Sequence, residues 1–123
     1  SSSLRTLSTL LLVMMYTKKS SNQGTLSLTG TDIYVAPTNN RSTVQSIRFN
    51  SAVDYRITLS HYDASTAVTT GVYTMYLSAG DILTDTFPFN LNSGDKLIAL
   101  SNPAGATYSV QAIDEPNIGV QCK

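Results

Sequence analysis

Between positions 53 and 60 the chain alternates without a break. Val53, Tyr55, Ile57 and Leu59 take one set of alternate positions, and Asp54, Arg56, Thr58 and Ser60 take the other. A period of two is what extended chain needs when one face meets an apolar layer and the other meets water; a helix, turning about 100° per residue, cannot use it. This stretch therefore commits the chain to a half-buried strand. Other stretches follow the same grammar. Ile47 and Phe49 alternate within residues 43–49, and Asn50 and Ser51 make the connection onward. Residues 31–36 form a strand closed by Pro37, which has no amide to donate to a ladder. Residues 72–77 set Tyr73, Met75 and Leu77 on one side. Residues 96–101 and 107–113 complete the series, separated by Asn102, Pro103, Ala104 and Gly105.

After residue 24 no window of a dozen residues carries a helical period. About seven to eight short strands, punctuated by Gly, Pro, Asn and Asp, predict an all-β fold: an antiparallel β-sandwich or jelly-roll-like barrel. The expected organisation is an N-terminal apolar arm (residues 1–23), a β-sandwich domain (24–115) and a C-terminal tail (116–123). A chain of 123 residues is the length of one domain and can bury a core without covalent staples. Cys122, the only cysteine, excludes an intrachain disulfide framework; it is either an unpaired thiol near the C-terminus or a contact with a partner chain.

One small motif is written twice. Ala79-Gly80-Asp81 precedes Ile82 and Leu83, and Ser93-Gly94-Asp95 precedes Lys96, Leu97 and Ile98. Glycine tolerates the positive φ of a tight reversal, and aspartate bonds back to nearby amides. Both copies read as turns that launch a strand, and their aspartates as structural.

The N-terminal segment differs in kind. Leu10, Leu11, Leu12, Val13, Met14, Met15 and Tyr16 form an unbroken apolar run, preceded by Leu7 and flanked by Arg5 on one side and by Lys18 and Lys19 on the other. A membrane-spanning helix needs about 20 apolar residues, so this run is too short to cross a bilayer. A secretory apolar region is one alternative, although no small-x-small cleavage pattern follows. The preferred reading is an arm that packs on another subunit as an added strand or short helix, or a buried first strand. These eight residues are the candidate subunit contacts, because such a run left exposed would drive aggregation.

Charge narrows the company the chain can keep. Residues 1–23 carry Arg5, Lys18 and Lys19 and no acid; the rest carries eight acids against Arg41, Arg48, Arg56, Lys96 and Lys123, a net of −3. That body has no basic footprint for nucleic acid. Only 13% of residues are charged, so hydroxyls and amides supply most of the polarity.

Little points to chemistry. The one histidine, His61, is two residues from Asp63 and in extended chain shares its side, but two ligands do not make a metal site. No second histidine or paired cysteine completes it, and the expected state is a strand-end histidine with its tip in water. Seven aspartates and one glutamate lie mostly in turns and at strand ends. There is no Gly-x-Ser-x-Gly elbow and no glycine-rich phosphate loop. No catalytic residue, metal or cofactor is expected, and the reading is a non-enzyme. Seven tyrosines without a tryptophan suit interfaces or sandwich packing, and Tyr62 and Tyr76 are candidate surface contacts.

The order of these segments is also familiar. Thr31-Asp32-Ile33-Tyr34-Val35-Ala36-Pro37 leads into Ile47-Arg48-Phe49-Asn50, then the alternating strand, the Ala79-Gly80-Asp81 turn and Leu91-Asn92-Ser93-Gly94-Asp95-Lys96-Leu97. Over residues 31–113 this resembles small β-sandwich structural proteins of tailed-bacteriophage virions; the apolar arm departs from the simplest of these. The resemblance implies a head decoration (cement) subunit or a neck or tail accessory protein. Such a protein is a homo-oligomer held among other virion proteins, such as the major capsid or tail proteins, and sits in the virion after assembly in the host cytoplasm. It carries no catalytic residues. The alternative from the residues alone is an exported glycan-binding or adhesive module using its tyrosines and hydroxyl-rich faces.

Overall fold

The computed structural model describes residues 18–116. Nine strands fill that span: β1 (Lys18–Thr25), β2 (Thr31–Val35), β3 (Asn40–Asn50), β4 (Tyr55–Asp63), β5 (Val68–Leu77), β6 (Ile82–Asp85), β7 (Phe89–Leu91), β8 (Lys96–Asn102) and β9 (Thr107–Pro116). They form two antiparallel sheets. One is ordered β1-β9-β3-β6, with β7 also pairing β3; the other is β2-β8-β4-β5.

The pairing is nested. β4 and β5 form a hairpin, β3 pairs β6 and β7 around it, β2 pairs β8, and β1 pairs β9. One long hairpin rolled on itself gives this order, with partners distributed between two facing sheets, and the result is a jelly roll. The all-β sandwich expected from period-two patterning is therefore present, with β6 and β7 as short strands that the pattern alone does not reveal.

The core lies between the sheets. β4 contributes Tyr55, Ile57 and Leu59, all buried, while Arg56, Thr58 and Ser60 on its other face are half-exposed. Ile47 and Phe49 of β3, Leu97 of β8 and Val110 of β9 meet them and are almost completely buried. Removing such side chains from water contributes about 1.5–3 kcal/mol each, which stabilises the sandwich without cross-links.

Three bulges set the faces where simple alternation fails. Ile33 is the extra residue on β2, Gln45 on β3 and Val72 on β5. An inserted residue shifts the parity of everything beyond it. Thus consecutive Ile33 and Tyr34 are both buried, and so are Val44 and Ile47 despite their odd spacing.

Three sequence expectations shift. Val53 does not continue the inward row of β4: it lies before the strand and is 51% exposed. The segment there crosses from one sheet to the other, pinned by Asp54 accepting the Ala79 amide at 2.8 Å. Residues 18–23, assigned to the arm, form most of β1 and pair with β9. β9 continues past Ile113 through Asp114 to Pro116, because Asp114 takes the inward position after Tyr108, Val110 and Ala112. Leu7 and Leu10, Leu11, Leu12, Val13, Met14, Met15 and Tyr16, together with Cys122, lie outside the described residues.

Candidate assembly surface

The two open sides of the sandwich are built differently. On one side β1 and β2 face each other across the sheets, and polar groups close the gap. The Asn22 side-chain amide donates to the Ile33 carbonyl at 2.7 Å. Asp114, 3% exposed, accepts from Ser20 Oγ (2.6 Å), Tyr34 Oη (2.5 Å) and Ser42 Oγ (2.5 Å). These hydroxyls come from β1, β2 and β3, so one carboxylate joins three strands and both sheets. Burial pushes the Asp114 carboxyl up, but the three hydroxyl donors, helped by Lys18, outweigh it and hold the group below its ordinary value. Burial, then hydrogen bonding to Asp114, pushes the Tyr34 phenol up.

On the other side β5 and β6 are the sheet edges, and the gap stays open. A groove of about 490 Å³ runs between them, lined by Tyr73 and Met75 of β5, Leu83 and Asp85 of β6, and Phe87 and Pro88 of the following loop. Tyr73 Oη donates to Asp85 Oδ2 at 3.0 Å and so links the sheets across its floor. Burial, with Asp85 adding to it, raises the Tyr73 phenol well above its ordinary value. The other carboxylate oxygen of Asp85 accepts the Phe87 amide at 2.9 Å. That local turn holds Phe87 outward, 77% exposed. Met75 is 42% exposed although it opposes buried Ile57 across the ladder. The sequence correctly groups Tyr73, Met75 and Leu77 on one side; at the edge of the sheet that side faces the open groove as well as the core.

The free edge of β5 is itself unusual. Its ten residues run Val-Thr-Thr-Gly-Val-Tyr-Thr-Met-Tyr-Leu, with no charge and no proline. Edge strands of free-standing proteins are normally blunted by lysine, proline or a covering loop, because unpaired amides and carbonyls recruit other strands. Among the described residues the one such device here is the Val72 bulge. At the opposite side β1 begins with Lys18 and Lys19 and β2 carries Asp32.

The remaining sequence candidates fall elsewhere. Tyr76 is 79% exposed and opposes Arg56, whereas Tyr62 stands six residues further along β4 under the Lys96 ammonium, 5.4 Å from its ring centroid. They share the outer face of one sheet but lie about 20 Å apart along it. His61 does not turn to Asp63. Its Nε2 is 3.2 Å from Oδ2 of buried Asp95, which also accepts the amides of Ala64 (2.9 Å) and Asn92 (3.2 Å). Asp63 instead accepts from the Ser65 amide and hydroxyl, which hold its carboxyl below the ordinary value. The twin motifs are matching turns: Asp81 donates its amide to the Ser78 carbonyl and Asp95 to that of Asn92, with φ of 81° at Gly80 and 83° at Gly94. Among the described residues no group of three or more His, Cys, Asp or Glu side chains could hold a metal ion, and no helix is long and apolar enough to cross a membrane.

Sequence reasoning missed Phe87, Leu83 and the groove they border. The available signal was a large aromatic, Phe87, set between Thr86 and Pro88 just after the polar pair Thr84 and Asp85.

No protein-family model and no curated protein sequence matches this chain. Solved structures do share its fold. A chain from the Bacillus endospore appendages, described as a family of disulfide-linked pili, is 15% identical with a TM-score of 0.51, the match covering 81% of this chain and 86% of that one. A chain from the acid-stable capsid of Helicobacter pylori bacteriophage KHP30 is 9% identical with a TM-score of 0.52, covering 82% and 88%. At these identities the likeness is one of architecture: a small jelly roll of nearly the same extent.

Proposed function

We propose that this chain is a non-enzymatic structural subunit of a tailed-phage virion, a capsid decoration (cement) or neck or tail accessory protein, that assembles with copies of itself and other virion proteins. Assembly uses the apolar N-terminal arm and the sheet faces, with Leu7 and residues 10–16 as the arm's contacts. The observation that carries this reading is the β5 edge, left unpaired by the described residues, beside an apolar groove. An edge of this length without charge or proline suits a subunit whose surface is covered by a neighbour. The shared fold with a pilus chain and a phage capsid chain and the pattern over residues 31–113 support the virion setting. Incorporation follows synthesis in the host cytoplasm. Tyr62 and Tyr76, being about 20 Å apart, give the glycan-binding alternative no joint stacking platform.

The test is incorporation. A chain lacking residues 1–17 keeps every described strand, and it should fail to enter particles or oligomers that the full chain enters. Normal incorporation of that truncation would remove the arm from the account; a full chain that never leaves the monomeric state would remove the assembly role altogether.

A further inference from the structure

Resting on that assembly reading, we infer that the apolar run of residues 10–16 of one copy pairs along the β5 edge of another copy and lays alternate side chains into the β5–β6 groove.

Three observations converge on this occupant. The first is the edge itself: β5 offers ten residues of backbone with one side free of pairing among the described residues, enough to receive a seven-residue strand, about 23 Å of extended chain. Strand addition takes its affinity from main-chain hydrogen bonds and its selectivity from pockets for alternate side chains. The second is side-chain pattern. In extended chain Leu10, Leu12, Met14 and Tyr16 share one side and Leu11, Val13 and Met15 the other, so either register presents an apolar row. A strand apolar on both sides is one built to be covered on both faces. The groove answers with Met75, Leu83, Phe87 and Pro88, and charge enters only at Asp85, whose oxygens are engaged by Tyr73 and the Phe87 amide.

The third observation is reach, and it selects a second copy over the chain's own arm. β1 and β6 are at opposite ends of their sheet, three inter-strand steps or about 14 Å apart. Tyr16 precedes Lys18 by two residues and so lies within about 7 Å of it along the backbone. The last part of the run therefore cannot arrive at the groove of its own sandwich. Crossing the sheet would consume at least about four residues of extended chain, leaving roughly half the run to occupy the edge. A neighbour whose β5 faces the start of β1 meets no such limit. The contact is heterologous: it joins the arm of one copy to the edge of the next, and it closes a ring or continues as a filament according to the rotation between copies.

The experiment uses the full chain with a photo-crosslinking phenylalanine analogue at Val13, mixed with an equal amount of isotope-labelled unmodified chain. After irradiation, crosslinked peptides are mapped by mass spectrometry. The expected result is a crosslink from position 13 to residues 68–77 or 83–88 of the labelled copy. Alongside it, Phe87→Asp should raise the concentration for half-assembly about tenfold or more, the effect of losing one buried anchor. Its urea midpoint should stay unchanged, because Phe87 is already exposed. Crosslinks confined to the same chain, or to the outer face of either sheet, would overturn the inference while leaving arm-dependent assembly intact. Assembly that survives polar replacement of residues 10–16, with β5 of one copy against β5 of another, would overturn it too. A full chain that remains monomeric would overturn both this inference and the assembly reading beneath it.

Discussion

Replacing Asp114 by alanine tests how the closed side of the sandwich is held. The carboxylate is 3% exposed and accepts three hydroxyls, two of them, Tyr34 Oη and Ser42 Oγ, at 2.5 Å in buried surroundings. Hydrogen bonds to a charged acceptor contribute about 1.5–3 kcal/mol each, and a buried donor left without a partner costs about 1–3 kcal/mol. The bonds share one acceptor, so the terms do not add, and a total loss of about 3–5 kcal/mol is expected. For a domain of this size that lowers Tm by about 10–20 °C. Urea unfolding read by tyrosine fluorescence gives the number directly. Tyr34→Phe removes only one donor and should cost about half as much; in the double variant the two losses should fall well short of their sum.

The same carboxylate predicts an acid limb. Its folded value lies below the unfolded one, so as pH falls the unfolded chain takes up the proton first. The stabilisation is fully present above the unfolded carboxylate value of about 3.9 and is lost as pH falls through the lower folded value. Asp114→Asn should therefore differ most from the parent near neutrality and converge on it in strong acid. A loss below about 1 kcal/mol for Asp114→Ala, or an unaltered acid limb in the asparagine variant, would refute the clamp.

Other expectations follow from single contacts. Gly80→Ala and Gly94→Ala both force alanine to positive φ and should each cost about 1–2 kcal/mol, but Gly94→Ala should cost more, since its new methyl would stand 3.2 Å from the Ala64 methyl while that at Gly80 meets nothing within 4 Å. Thermal melts of the two variants make the comparison. Asp95→Ala, which strands the amides of Ala64 and Asn92, should lose about 2–3 kcal/mol, and His61→Ala less than about 1 kcal/mol, because Asp95 keeps both amides. Denaturant titration separates them. Phe87→Ser should leave monomer stability within about 0.5 kcal/mol while weakening self-association, as measured by sedimentation across a concentration series.

Much of the architecture was readable because period-two patterning survives in the strands that face the core squarely. β4 from Tyr55 to Leu59 alternates in sequence and in burial alike; its neighbour β8 is a continuous apolar run from Leu97 to Leu100 whose burial alternates, and both are central in their sheet. Pattern fails where a bulge changes parity. Ile33 beside Tyr34 and Val44 before Ile47 look like breaks in a strand, yet all four are buried, because an extra residue re-aims the chain. β6 was signalled only by the Ala79-Gly80-Asp81 turn that launches it, and β7 escaped notice: strands of four and three residues are too short to show a period.

The polar tie between the sheets was hidden more deeply. Ser20, Tyr34, Ser42 and Asp114 are scattered over the chain, and each is unremarkable alone; only nested pairing brings them to one point. The apolar groove combines residues on β5 with a loop 12 residues further on, for example Met75 with Phe87, and it exists only because the edges of two sheets meet there. What the sequence did carry openly was the other half of the proposed contact, seven apolar residues in succession at positions 10–16. The structure adds an edge without charge or proline, at a distance that the last residues of the run cannot reach within their own chain.

The central claim, that the arm of one copy completes the open edge of another, is tested most directly by amide hydrogen exchange on β5 in the full chain across a dilution series. At concentrations where the chain assembles, the outward amides of residues 68–77 should become protected, and polar substitution of Leu11, Val13 and Met15 should abolish that protection while leaving β4 and β8 unchanged. Rapid exchange along β5 in an assembled particle would contradict the account.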